Sequence, residues 1–147
     1  REEWKAAGEL APGDLLVLND HRPARSWAGR FTEAEGYLVG LLMGDGTVTG
    51  DKDILSVWET AAEANGAAGG VPRGVAAVMA AAERAARTLP HRADFGGWHK
   101  IAGRAEHRLT LAAIGRTREA LGMPATNEKP VTPALEQASS AFYRGFL

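Results

Sequence analysis

Nine residues, Leu38-Val-Gly-Leu-Leu-Met-Gly-Asp-Gly46, hold the most suggestive chemistry in the chain. Asp45 falls where a helical run gives way to glycine. An anion there faces the negative end of the aligned peptide dipoles. A bound divalent cation would reverse that penalty. Gly40 and Gly44 lie one helical turn apart, although a mid-helix glycine costs about 0.5–1 kcal/mol relative to alanine. Small residues at that spacing let another backbone come very close, with Leu38, Leu41 and Leu42 packing around the seam. A pair of such helices would bring two carboxylates side by side. Their mutual repulsion favours Mg2+, which takes carboxylates, waters and phosphate oxygens. Two carboxylates beneath a phosphodiester are the minimum for metal-assisted strand cleavage. The same residues also allow a plainer reading, an amphipathic helix with an exposed Asp45, because capping alone accounts for Gly46.

Other side chains offer less. The spacing of His91, His99 and His107 suits neither one helix face nor a compact ligand pair, so they read as polar residues of loops or of an outward face. Gly66 to Gly74 is glycine-rich but lacks the Gly-Lys-Ser/Thr ending of a phosphate loop. No cysteine is present, which excludes disulfide scaffolds, zinc ribbons and thiol catalysis.

The elements that must position Asp45 follow from periodicity and punctuation. Pro12-Gly13-Asp14 is turn chemistry, and Leu15 to Leu18 reads as a short buried strand. Asn19 to Gly29 reads as a linker. Thr32 is expected to cap a helix whose first turn carries Glu33 and Glu35, with an approximate capping box because Gly36 follows at once. That helix should stop at Asp45-Gly46. Thr47 to Trp58 is strand material with a turn at Gly50-Asp51. Val75 to Leu89 is an Ala-rich helix closed by Pro90, and its Val, Ala and Met stripe reads as core. A hairpin opens at Gly96-Gly97, with Trp98, Lys100 and Ala102 on one face of its first strand and Leu109 and Leu111 on the return. Ala112 to Leu121 and Ala134 to Leu147 complete the list as helices. A chain that stops inside an amphipathic helix is expected to be truncated.

The 147 residues suit one domain with or without a small arm, and 45% hydrophobic against 24% charged residues describe neither a disordered nor a membrane-spanning chain. No apolar run approaches the roughly 20 residues a bilayer requires. A reducing, cytoplasmic setting is the expectation. The net charge of -1 hides an asymmetry: residues 1–64 carry 6 Lys+Arg and 12 Asp+Glu, whereas residues 65–147 carry 11 and 6. From Arg73 to Arg118 nine basic residues meet three acidic ones, consistent with a polyanion-facing surface or with a solvated helix face.

Leu38 to Gly46 resembles the nine-residue motif of LAGLIDADG homing endonucleases at its Leu, Gly, Leu, Asp and Gly positions, with the usual Gly36-Tyr37 ahead of it. Met43 stands where the family usually has an acid, and Gly44 where it usually has Ala. Glu9 to Leu18 looks like the strand closing the N-terminal splicing block of inteins. Asn127 to Leu135 followed by Phe142 to Leu147 looks like the lysine-bearing segment and the approach to a second motif, with Leu147 at its first position. The resemblance implies an α+β fold: residues 1–30 as a splicing-domain remnant and linker, then residues 31–147 as an αββαββα half with an antiparallel saddle and helices on one face. It implies Asp45 as metal-binding catalytic residue, Lys129 as the lysine that activates water or steadies phosphate, and Mg2+ or Mn2+ as cofactor. Leu38, Gly40, Leu41, Gly44 and Gly46 would form the helix interface. Some of Lys52, Lys100, Arg104 and Arg108 would meet double-stranded DNA.

The second motif's aspartate is missing, so a complete site would need a second motif helix or a second chain, as in a homodimer or swapped dimer. Self-splicing is not expected, for Cys is absent and no His-Asn pair closes the chain. The alternative is a catalytically inactive DNA-binding or structural remnant of an intein.

Overall fold

Thr32 starts the first helix. Its hydroxyl accepts from the Glu35 amide (3.2 Å), and the Glu35 carboxylate accepts from the Thr32 amide (2.7 Å), so both halves of a capping box are made. Gly36 does not interrupt it. This helix, α1 (Glu33–Gly44), belongs to a computed structural model that describes residues 6–15, 26–50, 52–59 and 74–147.

After α1 come β1 (Thr47–Thr49), β2 (Lys52–Trp58), α2 (Val75–Thr88), β3 (His99–Lys100), β4 (Glu106–Thr110), α3 (Ala112–Ala120) and α4 (Ser140–Phe146). The four strands make one antiparallel sheet in the order β1-β2-β4-β3. The α+β class expected from the sequence is therefore observed, with the element order α1β1β2α2β3β4α3α4. Among the described residues no helix is long and apolar enough to cross a membrane.

One face of the sheet is core. Val48, Leu55 and Leu109 meet Leu38 and Leu42 of α1, Ala82 and Ala86 of α2, and Ala113 and Ile114 of α3. Each fully buried Leu contributes on the order of 1.5–3 kcal/mol. A second cluster lies behind α1: Val39 joins Leu121, Met123, Leu135, Ala138 and Phe142, with Phe31, Met43, Tyr143 and Phe146 at its margin. Helix α1 is thus sandwiched, which explains why its sequence is apolar nearly all round.

Arg118, counted in the sequence among residues for a polyanion, is instead buried. Its Nε donates to Asp53 Oδ1 (2.8 Å) and its NH1 to the Met123 carbonyl (2.8 Å), with 6% and 5% of the two side chains exposed. Gly115 leaves room for that carboxylate, since a Cβ there would come within 2.6 Å of Asp53 Oδ2.

The single last helix expected from Ala134 to Leu147 is divided. Pro133–Gln137 is a 3-10 turn, Ala138 is extended, and Ser139 caps α4 by accepting from the Phe142 amide (3.0 Å). The break lets Ala138 bridge in parallel with Arg30, while Trp27 Nε1 donates to the Ala138 carbonyl (2.9 Å). Residues 26–30, read as the end of a linker, therefore pack on the C-terminal segment. The turn at Pro12-Gly13 is present, preceded by an unforeseen 3-10 turn at Ala7–Glu9. Of the strand expected at Leu15 to Leu18, Leu15 is 95% exposed and outside any strand, and the rest lies outside the described residues. The same holds for Asp51 and for most of the Gly66 to Gly74 loop.

Candidate functional site

The glycines of α1 are spent on α4. A Cβ at Gly36 would lie 2.0 Å from the Phe142 carbonyl oxygen, and one at Gly40 2.6 Å from that of Phe146. From the other side, a Cβ at Gly145 would lie 2.1 Å from the Glu33 oxygen and 2.7 Å from the Tyr37 nitrogen. The two backbones are therefore in direct contact, the geometry small residues permit. The bare stripe is Gly36 and Gly40, not Gly40 and Gly44: a Cβ at Gly44 would meet nothing within 4 Å. Its covering is a helix of the same chain. Of the leucines expected beside the seam, Leu38 and Leu42 are buried against the sheet, and Leu41 lies at the edge of that core.

Asp45 is the C-cap of α1, exposed, with its amide bonded to the Leu41 carbonyl (3.0 Å). Gly46 follows, but it lies outside the positive-φ region. Capping geometry is therefore not why glycine stands there. A Cβ at Gly46 would come within 2.6 Å of Leu42 Cα, so the chain turns into β1 too tightly for any side chain.

The segment after α3 returns to this corner. Asn127 Oδ1 accepts from the Val48 amide (2.9 Å), and Lys129 Nζ donates to the Gly46 carbonyl (2.9 Å). Lys129, 83 residues away in sequence, so comes to rest one peptide from Asp45. Its ammonium also sits at the negative end of α1, where a cation offsets the unfavourable placement of Asp45.

Beside that corner opens the second face of the sheet. Strand register places Thr47, Thr49, Lys52, Ile54, Ser56, Trp58, Glu106, Arg108 and His99 on the face turned away from the core. A concavity of about 260 Å3 on this face is lined by Asp45, Thr47, Thr49, Ser56, Arg104 and Arg108 among others. Lys52, Arg104 and Arg108 thus share one surface. Lys100 does not. It pairs with His107 on the opposite face and is bonded to Glu59 (3.1 Å), which also receives His107 Nε2 (2.8 Å). The hydrogen bond from Lys100, reinforced by that from His107, holds the Glu59 carboxyl below its ordinary range against partial desolvation. The alternation that grouped Lys100 with Trp98 holds, for Trp98 packs against the core; the DNA-facing place that the resemblance implied for Lys100 is on the other side.

Glu106 was not singled out in the sequence. It is 1% exposed, covered by Arg108, Arg104 and Ser56, and the Arg108 hydrogen bond holds its carboxyl below the ordinary range. Alternation across Glu106-His107-Arg108 could have found it, since residues two apart on a strand share a face. A larger, shallower cavity of about 650 Å3 lies between the α2–β3 connection and the start of α3, lined by His91, Phe95, Trp98, His99 and Arg116 among others. It includes neither Asp45 nor Lys129, and Arg92 at its rim is already paired with Asp94 (3.0 Å). The histidines do not converge, and among the described residues no group of three or more His, Cys, Asp or Glu could hold a metal ion. Asp45 supplies one carboxylate. That suits Mg2+ only where waters and phosphate oxygens fill most of its positions.

Comparisons of the chain with models of known families, with curated proteins and with solved structures return no match.

Proposed function

We propose that the chain is half of a site-specific double-stranded DNA endonuclease of the LAGLIDADG type, borne by an intein, with Asp45 and Lys129 at its reacting end. The observation that carries this is the bond from Lys129 to the Gly46 carbonyl beside Asp45. Support also comes from the element order, from the backbone contact between α1 and α4, and from the basic sheet face that opens next to Asp45 and carries no helix among the described residues. Asp45 is the ligand for Mg2+ or Mn2+, and such an ion, when bound, polarises a phosphodiester oxygen and acidifies a water.

The remaining chemistry belongs to the chain. Lys129 uses one N–H on Gly46, the residue after Asp45, and has N–H groups left for a phosphate oxygen or the attacking water. The tight turn at Gly46 fixes the direction in which Asp45 leaves the helix. Lys52, Arg104 and Arg108 hold the duplex against the sheet. A second carboxylate comes from a second motif helix or a second chain. A swapped dimer that exchanges α4 keeps the contact on Gly36 and Gly40, whereas a pair built directly on that face displaces α4.

The assay is a supercoiled plasmid carrying the uninterrupted insertion site, with and without Mg2+. Nicking or linearisation is expected with the ion, abolished by Asp45→Asn and lowered about 10²-fold or more by Lys129→Met. The rival is a DNA-binding remnant that does not cut. It is favoured by the solitary Asp45 carboxylate at the helix end, since Glu106 in the same groove is taken up by arginines. A plasmid left supercoiled by excess protein and Mg2+ decides for the remnant.

A further inference from the structure

A glutamate on the outward face of a strand ordinarily reaches into water. Glu106 does not, although its strand register puts it on the face away from α1, α2 and α3. Three side chains of the same face bond it. Arg108 Nε and Ser56 Oγ (3.2 Å) donate to Oε1, and Arg104 NH1 stands 3.5 Å from Oε2. Burying a carboxylate beneath guanidinium groups is a weak way to stabilise a sheet, because desolvation consumes most of the attraction. It is an effective way to aim an arginine, as outer partners orient the groups that touch a ligand.

Among the described residues Arg108 donates through Nε alone, which leaves both terminal amino groups for an outside acceptor. Its side chain is 34% exposed, lodged between Ser56 and His99 by the strand register. A guanidinium held in that way has lost most of its rotamer freedom before any ligand arrives. Arg104, 60% exposed, and Lys52 stand freer on the same face. With the carboxylate covered, the charge this strip presents is cationic, the complement of a polyanion. A planar pair of donors in a fixed direction fits the adjacent O6 and N7 acceptors of guanine in the major groove, whereas mobile cations fit phosphates.

We infer that Glu106 is a positioning residue that fixes Arg108 to read one guanine of duplex DNA, while Arg104 and Lys52 contact phosphates; the inference rests on the DNA-directed function proposed above. The test uses the full chain and a pool of randomised duplex DNA, without Mg2+, at fixed salt. Bound duplexes are sequenced, and affinity for the recovered site is measured for wild type and variants. Wild type should recover a site with one dominant guanine that Arg108→Ala abolishes, with affinity falling about five- to a hundredfold. Glu106→Gln should flatten preference at that same base pair and leave the others intact. Lys52→Ala should weaken binding evenly across sequences and reduce its salt dependence.

A merely structural Glu106 would lower all preferences together, so the base-pair-resolved profile separates the two roles even if Glu106→Gln lowers stability. An unchanged profile in Glu106→Gln, or a uniform loss in Arg108→Ala, overturns the inference and leaves DNA binding standing. A wild-type chain that retains no duplex from the pool overturns both.

Discussion

Replacing Gly36 and Gly44 by alanine should move stability in opposite directions, although both belong to α1. In each case alanine gains about 0.5–1 kcal/mol from helix propensity. At Gly44 nothing lies within 4 Å of the added methyl, so that gain stands alone. At Gly36 the methyl would sit 2.0 Å from the Phe142 carbonyl oxygen, so α1 and α4 must separate by about 1 Å to reach even a tight 3.0 Å contact. A gap of that size forfeits about a quarter to a half of each dispersion well across the seam. Overpacking of this kind costs typically about 1–3 kcal/mol, and backbone cannot swing aside as a side-chain end can. The net is a loss of up to about 2.5 kcal/mol for Gly36→Ala and a gain of up to about 1 kcal/mol for Gly44→Ala. At about 2–4 °C per kcal/mol for a chain near this size, Tm should fall by up to about 10 °C in the first and rise by up to about 4 °C in the second. Thermal melts followed by circular dichroism, with urea titrations at one temperature, read both. Equal shifts of the same sign would refute the backbone contact between the helices.

Three further outcomes follow from contacts already described. Arg118→Met leaves Asp53 charged, buried and unpaired, and should destabilise by about 3–5 kcal/mol in urea titrations; adding Asp53→Leu should restore part of it, and failure to do so would mean that charge is not the cause. Glu59 and Glu106 both have lowered carboxyl pKa values, so their pairs contribute stability above the ordinary carboxylate range and lose it as pH falls below it. Unfolding free energy measured from pH 7 down to pH 3 should therefore drop less steeply in Glu106→Gln than in wild type. Thr32→Ala removes the N-cap of α1 and should cost about 1 kcal/mol, checked by the same melts.

Helix positions were legible wherever punctuation was strong. Thr32, Pro90, Gly122 with Pro124 and the alanine run from Val75 bounded α1, α2 and α3 to within a residue. The split at Ala138 was hidden because nothing local in Ala134 to Leu147 forbids helix; a hundred residues upstream, Arg30 bonds Gln137 and Ser139 on either side of Ala138, and Trp27 donates to the Ala138 carbonyl. At the candidate site, composition and spacing marked Gly40 and Asp45, but which glycines touch another backbone depends on the crossing of two helices. That is why Gly36 and Gly145 matter and Gly44 does not. The outward side of Arg108 on β4 follows from strand alternation, and so does the grouping of Lys100 with Trp98, but which of those two faces meets the helices does not. Arg118 and Asp53 could not be distinguished from surface charges until they were seen closing on each other across 65 positions.

Helix α1 has one side against the sheet and the other against α4, and that bears on the order in which the protein can be made. A chain emerging from the ribosome presents Val39 and Met43 long before Phe142 and Phe146 exist to cover them. The sheet can assemble once β4 has appeared, yet the second side of α1 stays greasy until α4 has emerged. Contacts that span so much of the sequence form late and slowly, and exposed apolar surface in the interval invites self-association. Nascent chains stalled before residue 140 should accordingly be held by chaperones, and release should coincide with the emergence of α4.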